Sequence, residues 1–356
     1  MADSNESKEI HAWRSCDKAI RDRRGVRRRW WRECRRTQLD SRNMSHRNKK
    51  RSSKGVSPPS RPLAWQQFEE LNFFFYEEVP SEFITMRIQV LSLMLCNEQQ
   101  LAPAYAAERS IKGVQIEGTA PPSAEKRSRY LQTEAVMILH HAAEMLLRLF
   151  FAHVDKPDCP WLGMASLVLF SEFKEKVNQS LSEGFDRATL AEIFLGGSSP
   201  EDACIAMSAE DFTDAIDGLD LLVRHCSERL LSESFLYNSI KHGLSTVALD
   251  ETTQIARREE GETVVGHKGP MFAYMHRWRQ PGANRGAGEW FVSVKGASTE
   301  RDLGLSILMA RAVESLWDVA RRRYTGKSGW IRHIKKSVVE LVIYGLLMDS
   351  LNVVST

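Results

Sequence analysis

The chain has 356 residues, with 49 Lys and Arg against 46 Asp and Glu and a formal net charge of +3. Its 42% hydrophobic and 27% charged residues are ordinary globular usage, which excludes a collagen-like, wholly disordered or membrane-embedded chain. The length allows one large domain or two ordinary ones. The charge is uneven, because residues 1–61 hold 19 Lys and Arg against 7 Asp and Glu, whereas the remainder holds 30 against 39.

The basic segment 1–62 is predicted to be disordered, because it has few aliphatic side chains with which to offset its chain entropy. Its run RRRWWR, at residues 27–32, allows three interpretations. It could be an arm that binds nucleic acid through phosphate contacts and stacking, a solvated tail, or translated leader sequence ahead of a start at Met44.

The cysteines are widely spaced and form no CxxC pair, which is typical of free thiols in a reducing compartment. No signal peptide is recognisable. The most apolar late run, residues 338–348, has about half of the roughly 20 residues that a membrane-spanning helix needs. We therefore expect a soluble, cytoplasmic protein.

Helical periodicity dominates the chain from residue 63. It predicts an aromatic helix ending before Pro80, a second helix from Ser81 to Gln100, and a loop over residues 103–122. The clearest helix follows the cap Ser123 and continues to His153. Further helices are predicted at residues 165–181 and 190–195.

Ser199 and Pro200 indicate the start of a short helix, and Ser208 caps a longer one that is predicted to extend through Leu244. Residues 245–297 are predicted to form a small β-hairpin or meander. A long helix starts at Thr299, and an apolar helix is predicted over residues 331–351. The predicted fold class is mainly α, a helical domain at 63–356 with a β insertion at about 245–297.

The segment SFLYNSIKHGL, residues 234–244, carries the most specific functional signal. Asn238 and His242 are four residues apart, so both project from one helix face, and Gly243 suits the helix end. The helix dipole there favours a charged histidine, which could bind a phosphate or donate a proton to a leaving oxygen. Alternatively, His242 is structural and caps the helix or bonds within the bundle.

This ending, Asn-x-x-Lys-His-Gly on a long helix, resembles the HEPN superfamily over roughly residues 123–325. The resemblance implies a small helical bundle, commonly dimeric, and many such proteins are metal-independent ribonucleases in toxin–antitoxin or phage-defence systems. Their signature is Arg, usually followed by Asn, with His a few residues later. Asn238 and His242 match it as catalytic residues, but Tyr237 occupies the position of the arginine.

No nearby basic residue replaces that arginine on a continuous helix. Arg224 lies about 27 Å from His242 along the axis, and Arg229 points to the opposite face. Lys241 is turned by about 100° and lacks a bidentate guanidinium. The sequence therefore favours RNA binding, with Lys241 as a contact, and weak or absent cleavage.

Two other groups of residues suggest binding sites. His140 and Glu144 could share a metal, but a third ligand is missing, so we expect polar residues of a bundle seam, an ion pair between Glu144 and Arg148, and no metal or other cofactor. In the β segment, the basic side chains around Trp278 could track a nucleic-acid backbone or form an ordinary solvated hairpin. The basic candidates are Arg277, Arg279 and Arg285.

These observations predict a HEPN-like RNA-binding or interaction protein, weak or inactive as a nuclease, in bacterial defence or toxin–antitoxin function. RNA and a second copy of the chain are the expected partners. Two alternatives stay open. One is an active, metal-independent endoribonuclease that forms its site as a dimer, and the other is a purely structural helical scaffold.

Overall fold

A computed structural model describes residues 10–12, 64, 67–167, 169–241, 246–249, 254–256, 263–266, 270–278 and 288–345. The described chain is mainly α-helical with small antiparallel sheets, which confirms the predicted fold class. Apart from a three-residue strand, the basic segment 1–62 lies outside the described residues.

The first half of the chain contributes the strand β1 (Ile10–Ala12), α1 (Phe68–Phe75), α2 (Ser81–Ser92), a 3-10 turn (Leu93–Leu95), α3 (Glu98–Ala106), β2 (Arg109–Ile111), β3 (Val114–Ile116) and α4 (Ala124–Asp155). It continues with α5 (Pro160–Ser166), α6 (Phe170–Glu183) and α7 (Arg187–Phe194).

The second half contributes α8 (Ala209–Ser232), α9 (Ser234–Lys241), the strands β4 (Thr246–Leu249), β5 (Gln254–Ala256), β6 (Thr263–Gly266), β7 (Met271–Trp278) and β8 (Glu289–Gly296), then α10 (Thr299–Thr325), β9 (Trp330–Arg332), α11 (Lys336–Glu340) and a π-helical turn (Leu341–Gly345).

The core lies between the two longest helices, α4 and α10, with α2, α7 and α8 around them. Local sequence fixes where the long helices begin, because the side chains of Ser123, Ser208 and Ser298 accept hydrogen bonds from backbone N–H groups of the first turn. The predicted starts of these helices are confirmed. By length and composition alone α4 could span a membrane, but 72% of its most apolar 18-residue window is buried inside the protein, as in a core helix.

Three predictions in the first 205 residues were wrong in detail. The helix from Ser81 ends early, because Asn97 caps a new helix with a capping box and that helix continues through Pro103. The predicted loop contains the hairpin β2–β3, whose turn residues Lys112 and Gly113 have positive φ. Residues after Ser199 form a hydrogen-bonded turn and no helix.

The helix boundaries near residue 165 also differ from the prediction. One helix was predicted at 165–181, whereas the chain forms α5 from Pro160 to Ser166 and α6 from Phe170 to Glu183. At the end of the chain, Ile331 was predicted to begin a helix but lies in β9, which pairs antiparallel with β1. The helix there begins only at Lys336.

The break at Glu233 matters most for function. The helix capped by Ser208 was predicted to continue through Leu244, but it ends at Ser232 and α9 starts at Ser234. Glu233 leaves helical geometry with φ −102° and ψ 11°. Its backbone oxygen still accepts a hydrogen bond from the Tyr237 N–H. The motif therefore lies on a separate short helix.

The β segment forms a three-stranded antiparallel sheet in the order β4–β7–β8, beside a separate β5–β6 hairpin. Strand alternation gives the sheet two faces. The inner face packs on α9 and α4, where Phe272 is buried with Val136, Leu236 and Ile240. The register places Val247 and Val294 together on the other face, opposite Ala273. We call this second face the outer face.

Candidate nucleic-acid interface

The residues predicted from the motif lie on or next to α9. The side chains of Asn238 and Lys241 are exposed. His242 lies outside the described residues, as do Arg279 and Arg285. Arg277 is described and exposed, on the outer face of the sheet opposite Trp290. Of the six predicted site residues, the structure therefore describes Asn238, Lys241 and Arg277, and the first two share one helix.

Tyr237, at the position of the motif arginine, is a packing residue. It is 7% exposed, its ring stacks on that of His140 with centroids 4.7 Å apart, and it meets the ring of His141 edge-on at 5.7 Å. These contacts fix α9 against α4. The tyrosine fills the space between the two helices and supplies no charge.

A guanidinium from another helix lies near Tyr237 but contacts His141 and Glu134. Arg87 of α2 donates a hydrogen bond from Nη1 to Nδ1 of His141 at 2.7 Å, and its Nη2 lies 3.5 Å from a carboxylate oxygen of Glu134. Arg87 was not among the arginines considered from the sequence, Arg224 and Arg229, which both lie on the predicted motif helix. No periodicity links it to a residue 54 positions later, so only the packing of α2 on α4 could identify it.

The contact with Arg87 defines the state of His141. Burial lowers the pKa of the His141 imidazole, and the positive charges of Arg87 and Lys241 lower it further, with Glu144 opposing them. Because a guanidinium can only donate, Nδ1 of His141 accepts, and the neutral ring carries its proton on Nε2. His141 is therefore a neutral hydrogen-bond donor at pH 7.

We call Arg87, His141, Asn238 and Lys241 the surface cluster, because the charge of Lys241 acts on the imidazole that Arg87 contacts and Asn238 lies three residues before Lys241 on α9. Lys241 Nζ lies 5.7 Å from the centroid of the Tyr237 ring. Glu144 pairs with Arg148 at 2.7 Å, as predicted for an intrahelical ion pair, and so its charge is largely compensated. The surface cluster offers an exposed amine, a partly exposed guanidinium and a neutral imidazole to one ligand.

Beneath Tyr237 lies a second polar group, the buried ion network, made of His140, Arg229, Glu233, Lys295 and Asp302. Glu233 is 3% exposed. Its carboxylate oxygens lie 2.6 Å from Arg229 Nε, 3.1 Å from Lys295 Nζ and 3.7 Å from His140 Nε2. Arg229 also donates from Nη1 and Nη2 to Asp302 Oδ1, both at 3.1 Å. The network joins α4, α8, α10 and strand β8 at the break between α8 and α9.

Charge compensation keeps Glu233 ionised in this network. Burial alone would raise the pKa of its carboxyl, but contact with His140 and the charges of Arg229 and Lys295 outweigh burial and lower it to about 2. Arg229 is held from both sides by carboxylates, and neither it nor Glu233 is accessible to a ligand. We therefore assign the network a structural role.

The network also decides two sequence-based questions. Arg229 is committed to Glu233 and Asp302, and Arg224 pairs with Asp220 at 2.9 Å, so neither is available to the motif. His140 faces Glu233 in the seam between helices rather than Glu144 across its own helix. Within the described ranges, no group of three His, Cys, Asp or Glu side chains is arranged to hold a metal ion.

Comparisons with protein-family models, with curated proteins and with solved structures find no match to this chain. The class of protein is therefore defined by its own residues: a helical bundle with a small antiparallel sheet and a cationic surface cluster at the junction of α2, α4 and α9.

Proposed function

We propose that this chain is a HEPN-like RNA-binding protein that does not cleave its RNA. The single observation that carries the proposal is Tyr237, which stands at the position of the motif arginine and is buried against His140. A site that lacks the guanidinium at this point can still contact phosphates, but it lacks the group that the resemblance assigns to the reaction.

The charge states around Tyr237 support binding over catalysis. Burial and Arg87 lower the pKa of His141 and favour its neutral form, so His141 suits hydrogen bonding to a phosphate rather than the proton donation expected of His242. Arg87 itself is engaged by His141 and Glu134. These groups can hydrogen-bond a phosphate oxygen without supplying a proton.

The exposed residues of the surface cluster support RNA as the ligand. Lys241 and Arg87 provide the positive charge that phosphate contacts require, and Asn238 and the Nε2–H of His141 provide neutral hydrogen-bonding groups. Such contacts fix the position of a nucleic-acid strand and depend strongly on salt.

The proposal includes a homodimer in the cytoplasm and a role in bacterial defence or toxin–antitoxin function, each taken from the resemblance or the composition. Sedimentation velocity tests the dimer directly. The expected result is a mass near twice that of the 40.6 kDa chain, and a monomer at all concentrations would remove dimerisation from the proposal.

The experiment is RNA binding and cleavage in EDTA. We expect the purified full chain to retain a fluorescein-labelled single-stranded RNA 12-mer in fluorescence anisotropy, with no shortened product on a denaturing gel. Lys241→Ala should weaken binding severalfold and reduce the slope of log Kd against log salt by about 0.7. The matched control is Lys126→Ala, which removes an exposed lysine of α4 about 22 Å along the helix from His141.

Each outcome decides between the alternatives. Cleavage that persists in EDTA and is lost in His242→Ala would overturn the non-cleaving proposal in favour of the dimeric ribonuclease. Absence of both retention and cleavage would overturn RNA binding and leave the scaffold. Equal losses in the Lys241 and Lys126 variants would show non-specific attraction and would remove the surface cluster as the site.

A further inference from the structure

The outer face of the sheet is apolar, and much of it is exposed to solvent. Side chains alternate between faces, and the register pairs Met275 with Val292 and Arg277 with Trp290. The apolar outer-face residues with the greatest exposure are Trp290 at 67%, Val292 at 68%, Val247 at 63%, Met275 at 50% and Val294 at 38%. A sheet normally buries one face and solvates the other with polar groups, so an apolar outer face indicates a ligand or partner.

We propose that the outer face is a platform on which bases of single-stranded RNA stack, with Trp290 as its principal contact. This inference rests on the proposed function and deepens it, because it defines the RNA as one with unpaired bases. The platform would supply contacts to bases, separately from the surface cluster on the α9 side of the sheet.

The charges around the platform favour a nucleic acid. The guanidinium of Arg277 lies 6.0 Å from the centroid of the Trp290 ring, at the end of the face near the β7–β8 connection. β4 contributes Val247 to the opposite end of the face. Among the outer-face side chains that the structure describes, the charge is positive and none is acidic. Aromatic platforms flanked by cations are the usual means of binding single strands.

The dimensions of the face agree with this ligand. Val247 lies level with Ala273, four residues along β7 from the level of Trp290, which is about 13 Å at the rise of a β-strand. Stacked bases in one strand are about 3.4 Å apart, so the face is long enough for more than one base.

A second copy of the chain is the less suitable occupant. A stable interface between proteins takes roughly 20 to 30 residues from each side, whereas the described outer-face side chains with high exposure are five apolar ones and Arg277. Packing two such faces together would also bring the Arg277 side chains of both copies to one small apolar surface. The area and the charge thus favour a thin, anionic ligand.

The test compares single-stranded RNA with the same RNA annealed to its complement. For the single strand, Trp290→Ala should raise Kd by about tenfold or more, since stacking contributes that much per base. For the duplex, whose bases are already stacked, Kd should stay within twofold of the wild type. Trp330→Ala, which removes a tryptophan that is 48% exposed on β9, is the matched control and should leave both constants unchanged.

A second variant guards against a change in folding. Val292→Glu places a negative charge in the middle of the outer face, and its site is exposed enough to accept the side chain. We expect it to weaken single-strand binding at least as much as Trp290→Ala while its circular dichroism spectrum and thermal midpoint match the wild type. A Val292→Glu protein that folds and binds normally would overturn the platform.

The remaining outcomes separate this inference from the proposed function. If the wild type binds RNA and Lys241→Ala weakens it while Trp290→Ala does not, the platform is overturned and the proposed function stands. If the wild type binds no RNA, both are overturned. If Trp290→Ala alters the sedimentation mass and leaves Kd unchanged, the outer face is a contact between copies of the chain, which also overturns the platform.

Discussion

The surface cluster and the buried ion network each contain a histidine that contacts the Tyr237 ring, and they are built from similar residue types, but the central charges of the network are closed to a ligand. In the network, Glu233 is 3% exposed and each charge is compensated by another, so its groups act on the stability of the fold. In the surface cluster, Lys241 is exposed and Arg87 partly so. Access to water at the central charges, more than residue type, therefore separates the candidate binding site from the structural network, whose peripheral Lys295 is itself exposed.

Removing Glu233 should have the largest effect. In Glu233→Ala, the buried guanidinium of Arg229 loses one of its two counter-charges, and breaking a buried pair costs about 3 to 5 kcal/mol. The measurement is urea unfolding at pH 7 followed by circular dichroism. Glu144→Ala is the control, because its pair with Arg148 is partly exposed and should cost less than about 1 kcal/mol. Similar losses in the two variants would contradict the contrast between network and surface.

A weaker effect is expected from pH. Burial lowers the pKa of His225, and the charges of Arg229, Arg301 and Lys295 lower it further, to about 4, with Glu233 opposing them. The unfolded state therefore takes up a proton first as pH falls below about 6.5, and this group should cost about 2 kcal/mol of stability between pH 7 and pH 5.

The check is urea unfolding at pH 7, 6 and 5 for the wild type and His225→Gln. The variant should lose less stability over this range. Glu233 does not contribute to the difference, because a carboxyl with its pKa lowered to about 2 contributes fully above about pH 4.5 and loses its contribution only as the pH falls further. Identical pH dependence in both proteins would show that His225 is not held neutral.

The smallest effect is expected in the surface cluster. Arg87→Gln removes a positive charge that lowers the pKa of His141, so that pKa should rise toward its ordinary value. The free energy of unfolding should change by less than about 1 kcal/mol, because the pair of Arg87 with Glu134 is partly exposed. An NMR titration of the histidine side chains measures the shift, with Lys126→Gln as control. A fall in the pKa would contradict the assigned contact.

Much of the fold could be predicted because its signals are local. Ser123 and Ser208 cap helices as predicted, the long helix starts at the predicted Thr299, and the apolar stripes of these helices are regular. The break at Glu233 was not predictable in this way. No Gly or Pro interrupts residues 219–242, and the break coincides with contacts between Glu233 and residues far along the chain, such as Lys295.

In the candidate site, too, residues of a local motif could be predicted and residues brought together by the fold could not. Asn238 and Lys241 could be identified because they share a short motif, and the structure places both side chains at the surface. Arg87 and Trp290 could not be identified from the sequence, because their roles depend on residues that only the fold brings near. Arg87 contacts His141, and Trp290 lies on a sheet face formed by three strands. The predictions for His242, Arg279 and Arg285 stay predictions.

The inner face of the sheet has a consequence for protein engineering. Phe272 fills the space beside Leu236 and Ile240 of α9, and Lys295 supplies one of the charges that keep Glu233 ionised. A shortened chain that omitted residues 246–297 would expose the apolar side of the motif helix. It would also remove Lys295, one of the positive charges beside Glu233. The β segment should therefore be kept whole in any minimal version of the protein, and foreign sequence would be better placed in the exposed β2–β3 hairpin, whose strand residues contact solvent throughout.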